Sequence, residues 1–137
     1  MAEHHVYLGL GSNLGDRYAL MKRAIRMIDG RVGQVVRVSS FIESEPWGFE
    51  SEHRFLNAVL LCRTTHTPRE VLQLTQRIEC DLGRKKKSQA QVYHDRPIDI
   101  DILLYDDLTI DEPDLQIPHP LMYERDFVMK PLEEIKY

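Results

Sequence analysis

Cysteine is scarce in this sequence, since only Cys62 and Cys80 occur among its 137 residues. Two cysteines without metal-like spacing exclude a disulfide-rich secreted scaffold and a cysteine-based zinc site. Both lie in apolar patterns, so we expect two buried free thiols in a protein of the reducing cytoplasm. The first residues lead directly into a strand pattern, and no secretory signal peptide is predicted there.

Positive charge is also in short supply, because 18 Lys and Arg residues face 22 Asp and Glu residues, for a net charge of −4. An acidic balance argues against a general nucleic-acid binder. No apolar run approaches the length of a membrane span. We therefore expect residues 1–137 to form a single domain, with neither nucleic acid nor membrane as a partner. A monomer is a separate expectation, which charge and composition do not decide.

The predicted secondary structure follows the order β-α-β-β-α-β. Apolar runs and alternation predict strands at 6–10, 35–42 and 55–63 and a fourth strand that carries Asp99 and Asp101. Helical periodicity predicts helices at 16–29 and from Thr67 to Gly83. A hairpin at 108–117 and a helical turn at 127–135 follow the fourth strand. This order is typical of an α+β, ferredoxin-like sandwich with a C-terminal hairpin and helix appendage.

The boundaries of both predicted helices carry local signals. Thr67 and Glu70 surround Pro68 in a capping box at the start of the second helix. Its inner stripe is Val71, Thr75, Ile78 and Leu82. Gly9, Gly11 and Gly15 flank a turn before the first helix, where Asp16 is the expected cap. Such a turn could instead offer backbone N–H groups to an anion.

The fourth strand places two carboxylates side by side. Asp99 and Asp101 alternate with Ile98, Ile100, Ile102 and Leu104, so they share one face with Leu103 and Tyr105 further along. The acids then lie where that face opens toward water. Adjacent carboxylates repel unless a cation lies between them, and Mg²⁺ is often held by one or two carboxylates plus substrate phosphates. The pair predicts phosphate chemistry, and a solvated strand face is the alternative.

Aromatic and amide side chains elsewhere are suited to a flat heterocycle. Phe55 and Asn57 share a strand face by parity, and they offer a stacking ring and an amide that both donates and accepts. The alternative is core packing for Phe55 and a strand-edge amide for Asn57. Two long connections, 44–54 and 84–95, are typical of binding loops, and we expect both to close over the same end of the sheet.

A set of cations is available to a polyphosphate. Residues 84–87 (Arg-Lys-Lys-Lys) form a basic run, of which Lys85 and Lys87 are expected to be solvated surface charges. His119 lies between two prolines, so its ring is held in a defined direction. The candidate phosphate ligands are Arg84, Lys86, Arg96, His119 and Arg125.

Four motifs agree in order and spacing with one known family. Gly-Ser-Asn-Leu-Gly-Asp at 11–16, Phe-Leu-Asn at 55–57, Arg-Pro-Ile-Asp-Ile-Asp-Ile at 96–102 and Ile-Pro-His-Pro at 117–120 resemble the 6-hydroxymethyl-7,8-dihydropterin pyrophosphokinases of folate biosynthesis. The resemblance covers nearly the whole chain. It implies transfer of a pyrophosphoryl group from ATP to the hydroxymethyl oxygen of the pterin, with release of AMP and with two Mg²⁺ ions as cofactors.

The resemblance also implies roles for individual residues. Asp99 and Asp101 match the metal-binding aspartates and, with Arg84 and Arg96, the catalytic set. The pterin-binding positions match Ser44, Pro46, Trp47, Gly48, Phe55, Asn57 and Phe127. The ATP-binding positions match Glu79, Arg84, Lys86, Arg96, His119 and Arg125. Residues 93–96 read Tyr-His-Asp-Arg where family members commonly have Trp-Gly-Pro-Arg, so Tyr93 is the candidate aromatic at that point.

Two other functions share single features with this chain. A metal-dependent nucleotide-sugar transferase also uses an Asp-x-Asp pair after an apolar strand, but it would leave Phe55 and Asn57 unexplained. A non-catalytic RNA-binding module can have the same β-α-β-β-α-β plan, but it needs a basic face with exposed aromatics.

Overall fold

The computed structural model of the protein describes residues 2–45, 54–83 and 97–136. It is an α+β fold with an antiparallel sheet and three α-helices. The strands are β1 (His4–Ser12), β2 (Gln34–Val38), β3 (Ile42–Ser44), β4 (Phe55–Thr64), β5 (Asp99–Tyr105), β6 (Ile110–Glu112) and β7 (Leu115–Ile117). The helices are α1 (Arg17–Arg31), α2 (Pro68–Asp81) and α3 (Asp126–Ile135), with a short 3-10 turn at Met122–Glu124.

The main sheet has the order β2-β4-β1-β5, and β3 also pairs with β4. Every pairing within it is antiparallel. The central strand β1 therefore carries β4 on one side and β5 on the other. Strands β6 and β7 form a separate hairpin, as the sequence predicts for 108–117.

The two faces of the sheet are covered differently. On one face, α1 and α2 pack on the even-numbered residues of β1 and β4, and these side chains form what we call the helix-side core. On the other face, α3 packs on Val59, Leu61 and Leu103 in a smaller second core. The part of that second face nearest Asn57 and Asp99 carries the candidate site described below.

The prediction of one strand at 35–42 is wrong, because β2 and β3 are separated at Ser39. The buried Ser39 receives a hydrogen bond from the Val59 N–H on its hydroxyl at 2.9 Å, and its own N–H donates to the Val59 carbonyl at 2.9 Å. A side-chain hydroxyl thus replaces a backbone acceptor of the ladder, and the chain bends there. Strand β3 then pairs with the first residues of β4, beside Asn57.

The strict alternation predicted along β5 holds only up to Leu103. The pairing with β1 shifts between Tyr7 and Leu8, so that Tyr7 faces Leu104 while Leu8 faces Ile102. A bulge of this kind inserts one residue and reverses the parity that follows. Leu104 therefore packs on the second core, whereas Tyr105 enters the helix-side core, the reverse of the prediction.

Both cysteines are free, as predicted, but only one is buried. Cys62 lies in β4 under the helices, where burial, with a smaller contribution from the charge of Asp29, raises the pKa of its thiol to about 12. Cys80 is exposed because it lies on α2 away from the buried stripe of that helix. The prediction of a second buried thiol is therefore wrong.

The predicted helix boundaries are confirmed. Asp16 caps α1 by accepting a hydrogen bond from the Ala19 N–H at 3.1 Å. A kink at Asp29 and Gly30, with a φ of 127° at Gly30, ends the regular part of the helix just before its last residue, Arg31. Thr67 and Glu70 form the reciprocal capping box of α2. None of the helices in residues 2–45, 54–83 and 97–136 has the length and apolarity that are needed to cross a membrane.

We predict that Thr67→Ala lowers the free energy of unfolding by about 1 kcal/mol, the usual cost of losing an N-cap side chain. The hydroxyl of Thr67 accepts a hydrogen bond from the Glu70 N–H at 3.2 Å, and alanine leaves that donor without its cap. Urea unfolding followed by circular dichroism measures the change. Thr65→Ala, in the exposed turn just before the helix, is the matched control and should have little effect. Equal stability of the two variants would contradict this role of the cap.

Candidate active site

Asp99 and Asp101 lie on one face of β5, as predicted, and both are half-buried. In the register with β1, Asp99 is opposite Gly11 and Asp101 is opposite Gly9. Each carboxylate therefore lies beside a residue that has no side chain. The apolar part of the same face begins at Leu103, which packs on the second core.

The sequence interpretation placed Gly9 and Gly11 at the edges of a turn, but both lie within β1. A Cβ atom added to Gly11 would be 3.4 Å from Asn57 Oδ1 and 3.5 Å from the Phe55 ring. A Cβ atom added to Gly9 would touch Leu103 at 3.4 Å. The two glycines thus form a floor between β4 and β5, and their spacing of two residues on a strand is the signal that could have revealed it.

Asn57 is buried, and its amide has a defined orientation. Its Nδ2 donates hydrogen bonds to the Ser44 hydroxyl at 2.8 Å and to the Ile42 carbonyl at 3.3 Å. Because a carbonyl can only accept, the nitrogen must lie on the β3 side, and Oδ1 points over Gly11. Asn57 therefore presents an acceptor toward the glycine floor.

One row of the sheet joins the amide to the carboxylates. Asn57 is in register with Gly11, and Gly11 is in register with Asp99. With strands about 4.8 Å apart, the Cα atoms of Asn57 and Asp99 are about 10 Å from each other. An amide and a carboxylate pair thus face the same space from its two sides, with glycine backbone between them.

Phe55 and Phe127 are two of the aromatic residues on this face of the sheet. Phe55 is buried, and its ring is next to Gly11, on the same side as Asn57, which confirms their predicted parity. Phe127 lies in the first turn of α3 and packs at the edge of the second core. The Arg125 guanidinium carbon is 5.6 Å from the centre of the Phe127 ring, within the range of a cation–π contact.

His119 is held against β5 at Leu103, two residues beyond Asp101 along the strand. Its backbone N–H donates to the Leu103 carbonyl at 3.0 Å. Its ring Nδ1 accepts from the Leu121 N–H at 3.3 Å, so in the neutral ring the proton is on Nε2. The imidazole thus has a fixed orientation with Nε2 as a donor, which suits an anionic ligand.

Glu79 lies in α2 and is only 2% exposed. Its Oε2 accepts a hydrogen bond from the Ile100 N–H at 2.7 Å. Ile100 is the residue between the two aspartates, so this helix carboxylate is attached to the backbone of the site. Nothing in the sequence pattern indicated this contact.

The other predicted site residues lie outside the described part of the chain. These are Pro46, Trp47 and Gly48 of the first long connection and Arg84, Lys86 and Arg96 of the second. Tyr93 lies there too, as does most of each connection expected to close over the sheet. The described residues therefore place Ser44, Phe55, Asn57, Asp99 and Asp101 on paired strands of one sheet. Glu79 and His119 contact β5 at Ile100 and Leu103, and Phe127 packs on the second core beside Arg125.

The donor set on β5 fits a hard divalent cation. Residues 2–45, 54–83 and 97–136 contain no group of three or more His, Cys, Asp or Glu side chains that could hold a metal ion by themselves. A pair of half-exposed carboxylates beside a glycine floor nevertheless has the oxygen chemistry that Mg²⁺ uses when substrate phosphates complete its coordination.

Comparison with known proteins identifies close relatives. A family model described as 7,8-dihydro-6-hydroxymethylpterin-pyrophosphokinase matches residues 7–137. The chain is 53% identical over 131 residues to the 2-amino-4-hydroxy-6-hydroxymethyldihydropteridine pyrophosphokinase of Porphyromonas gingivalis, covering 95% of this chain and 89% of that one. It is 41% identical over 130 residues to the Bacillus subtilis protein of the same name, covering 94% and 76%.

Solved structures show the same fold at much lower identity. A crystal structure of HPPK-DHPS in complex with substrates matches with a TM-score of 0.80 at 13% identity, over 98% of this chain. Wild-type Plasmodium falciparum HPPK-DHPS with STZ-DHP matches with a TM-score of 0.78 at 14% identity, over 97% of this chain. This chain spans 40% of each of those longer chains.

Proposed function

The chain belongs to the 7,8-dihydro-6-hydroxymethylpterin-pyrophosphokinase family, and from this we propose a division of its site residues into those that bind the pterin and those that bind the polyphosphate. The protein transfers a pyrophosphoryl group to 6-hydroxymethyl-7,8-dihydropterin in folate biosynthesis. ATP is the donor: the pterin hydroxymethyl oxygen bonds to the β-phosphorus, the hydroxyl loses its proton, and AMP leaves. The observation that supports this division most strongly is the row of Asn57, Gly11 and Asp99 across the sheet.

The pterin is proposed to bind at the Asn57 end of the row. The Asn57 Oδ1 over Gly11 can accept hydrogen bonds from the ring N–H and amino groups of a pterin, while Ser44 holds the amide in place. Phe55 and Phe127 offer aromatic surface on the same side of the sheet. This orientation would direct the hydroxymethyl group along Gly11 toward Asp99.

The polyphosphate is proposed to bind at the other end of the row. Asp99 and Asp101 are the residues that would hold Mg²⁺, with two ions expected, and bound metal would supply neutralisation of the phosphate charge. Phosphoryl-type transfer leaves little covalent work to the protein, so these side chains act by positioning and electrostatics. The Nε2–H of His119 and the guanidinium of Arg125 would bind phosphate oxygens.

The remaining assignments rest on the resemblance of motifs. We propose Arg84, Lys86 and Arg96 as further phosphate ligands, with Arg84 and Arg96 acting on the transferred group. Pro46, Trp47 and Gly48 are proposed to contact the pterin. The strand order β2-β4-β1-β5 supports a ferredoxin-like arrangement within one domain, and we propose a cytoplasmic monomer without nucleic-acid or membrane partners.

Formation of AMP tests the assignment directly. The protein is incubated with ATP, Mg²⁺ and the hydroxymethyl pterin, and the nucleotides are separated by chromatography. We expect AMP and the pterin diphosphate in equal amounts, and none without the pterin or with EDTA. Release of ADP, or AMP without the pterin, would contradict the proposal. The nucleotide-sugar and RNA alternatives are set aside because the family match spans residues 7–137.

Asn57→Ala is predicted to weaken pterin binding about tenfold or more and to leave nucleotide binding nearly unchanged. Alanine removes the acceptor over Gly11, so a buried pterin donor loses its partner, at a cost of about 1–3 kcal/mol. Calorimetry with each ligand separately measures the two affinities. Ser44→Ala is the matched variant, because it removes only the support of the amide and should have a smaller effect. An equal loss of affinity for both ligands would show that Asn57 does not belong to a separate pterin pocket.

A further inference from the structure

We infer that Glu79 is a positioning residue for Asp99 and Asp101. It fixes the direction of their side chains through its hydrogen bond to the backbone amide of Ile100. The inference rests on the proposed function of Asp99 and Asp101, and it gives Glu79 a role through the backbone of β5 in place of the direct contact with ATP that the resemblance implies. Glu79 is 2% exposed, and its Oε2 is 2.7 Å from the Ile100 nitrogen. Its contact thus falls on the residue between the two proposed metal ligands.

Within the described ranges β5 is the outer strand of the sheet, so the Ile100 amide needs an acceptor that is not another of these strands. In an antiparallel pair, successive residues direct their N–H groups alternately toward the neighbouring strand and away from it. The Ile100 N–H is directed to Glu79 and so off the edge of the sheet, while Ile100 itself is 1% exposed. A buried N–H in that position is costly unless an acceptor is provided.

A buried carboxylate is an energetically unfavourable choice of acceptor at this position of α2. The other buried residues of the helix are Val71, Thr75 and Ile78, and an aliphatic side chain at 79 would extend their stripe. Burying a charged carboxylate is unfavourable unless it is hydrogen-bonded. The contact must therefore contribute something that packing would not.

That contribution is the orientation of a peptide plane. The Ile100 N–H belongs to the peptide that joins Asp99 to Ile100, so fixing it restricts the ψ angle of Asp99 and the φ angle of Ile100. Those angles set the direction of the Asp99 side chain relative to Asp101. Glu79 would thereby hold the two carboxylates at a separation suited to one bound cation or to adjacent ones, before any ligand arrives.

The test compares metal-dependent with metal-independent nucleotide binding. Glu79→Met removes the acceptor while keeping a side chain of similar length, and Glu79→Gln keeps an acceptor without the charge. Thr75→Val is the matched control, since Thr75 is buried on the same helix and its hydroxyl donates to the Leu72 carbonyl of that helix at 3.0 Å. Each variant is titrated with Mn²⁺ and a non-hydrolysable ATP analogue by electron paramagnetic resonance, and with the analogue alone in EDTA.

We expect Glu79→Met to weaken Mn²⁺ binding about tenfold while metal-free binding of the analogue changes less than twofold. Glu79→Gln should stay within about threefold of the wild type, and Thr75→Val should match it. The Ile100 amide signal in a ¹⁵N spectrum should move in Glu79→Met and be largely retained in Glu79→Gln. Should Glu79→Met fail to fold, Glu79→Leu provides the same comparison.

Two results would overturn the inference. An equal loss with and without metal would make Glu79 a direct nucleotide ligand, and unchanged Mn²⁺ affinity in Glu79→Met would show that the amide contact does not reach the carboxylates. Asp101→Asn in the same titration separates this from failure of the proposed function. If Asp101→Asn loses Mn²⁺ and Glu79→Met does not, only the inference fails; if Asp101→Asn binds like the wild type, the metal site itself is wrong.

Discussion

Asp101→Asn is expected to lower kcat by on the order of 10²-fold or more, which is the usual effect of removing one key electrostatic group from an active site. Asp99→Asn should have a similar effect. Each change removes a charged oxygen from a half-exposed pair that faces the glycine floor. An amide is a weaker ligand than a carboxylate for a hard cation and cannot neutralise its charge. Steady-state AMP formation at saturating ATP, pterin and Mg²⁺ measures the effect.

Measuring the stability of the same variants tests whether the lost activity is a chemical effect and not a loss of folding. Neighbouring side chains on a strand face are about 7 Å apart, where two like charges repel by about 0.6 kcal/mol in water. Neutralising one of them should leave the melting temperature unchanged or slightly raised. Asp107→Asn, an exposed position just after β5, is the control and should keep full activity. Near wild-type turnover of either site variant at saturating Mg²⁺ would contradict the metal assignment.

The carboxylate pair could be predicted from sequence because a strand's alternation is a local property. Isoleucines at 98, 100 and 102 define the buried face, so Asp99 and Asp101 must lie on the other one. The capping box of α2 is local in the same sense, since Thr67 and Glu70 are three residues apart and bond to each other whatever the rest of the chain does. Both predictions are confirmed.

The errors arise where tertiary contacts decide. Residues 39–41 carry no helix or turn signal, and the chain bends there because Ser39 bonds to Val59 on a neighbouring strand. The bulge at Leu103 is likewise a matter of pairing with β1, and it reverses the faces of Leu104 and Tyr105. Register between strands that are distant in sequence is not encoded in any short window.

The dependence on strand register also explains which contacts of the site cannot be predicted from the sequence. Asn57 and Asp99 were each singled out by residue type and parity, but their common row through Gly11 is a result of register. The contact from Glu79 to Ile100 joins a helix to a strand 21 residues later in the chain. Such contacts determine how side chains are oriented, which residue type alone does not specify.

Gly11→Val should lower kcat/KM for the pterin by on the order of 10²-fold, because a side chain at this position would fill the space above the glycine floor. The fold should be retained. Gly11 lies in a regular strand, and its φ is outside the left-handed region that favours glycine, so valine is compatible with its backbone. A Cβ atom there would already be 3.4 Å from Asn57 Oδ1. The two methyl groups of valine would occupy the space between Asn57 and Asp99, and overpacking of this kind costs about 1–3 kcal/mol.

A graded series makes this prediction specific. Gly11→Ala adds only a Cβ atom at ordinary contact distance from Asn57 and Phe55, so it should lower pterin affinity much less than Gly11→Val. Nucleotide binding with Mg²⁺ should change less than pterin binding in either variant, since the atoms nearest the added Cβ belong to Asn57 and Phe55. Calorimetry with pterin and with an ATP analogue measures both affinities. If Gly11→Val bound pterin as tightly as the wild type, the pterin could not lie over β1. The proposal that the row from Asn57 to Asp99 brings the hydroxymethyl group to the phosphates would then be wrong.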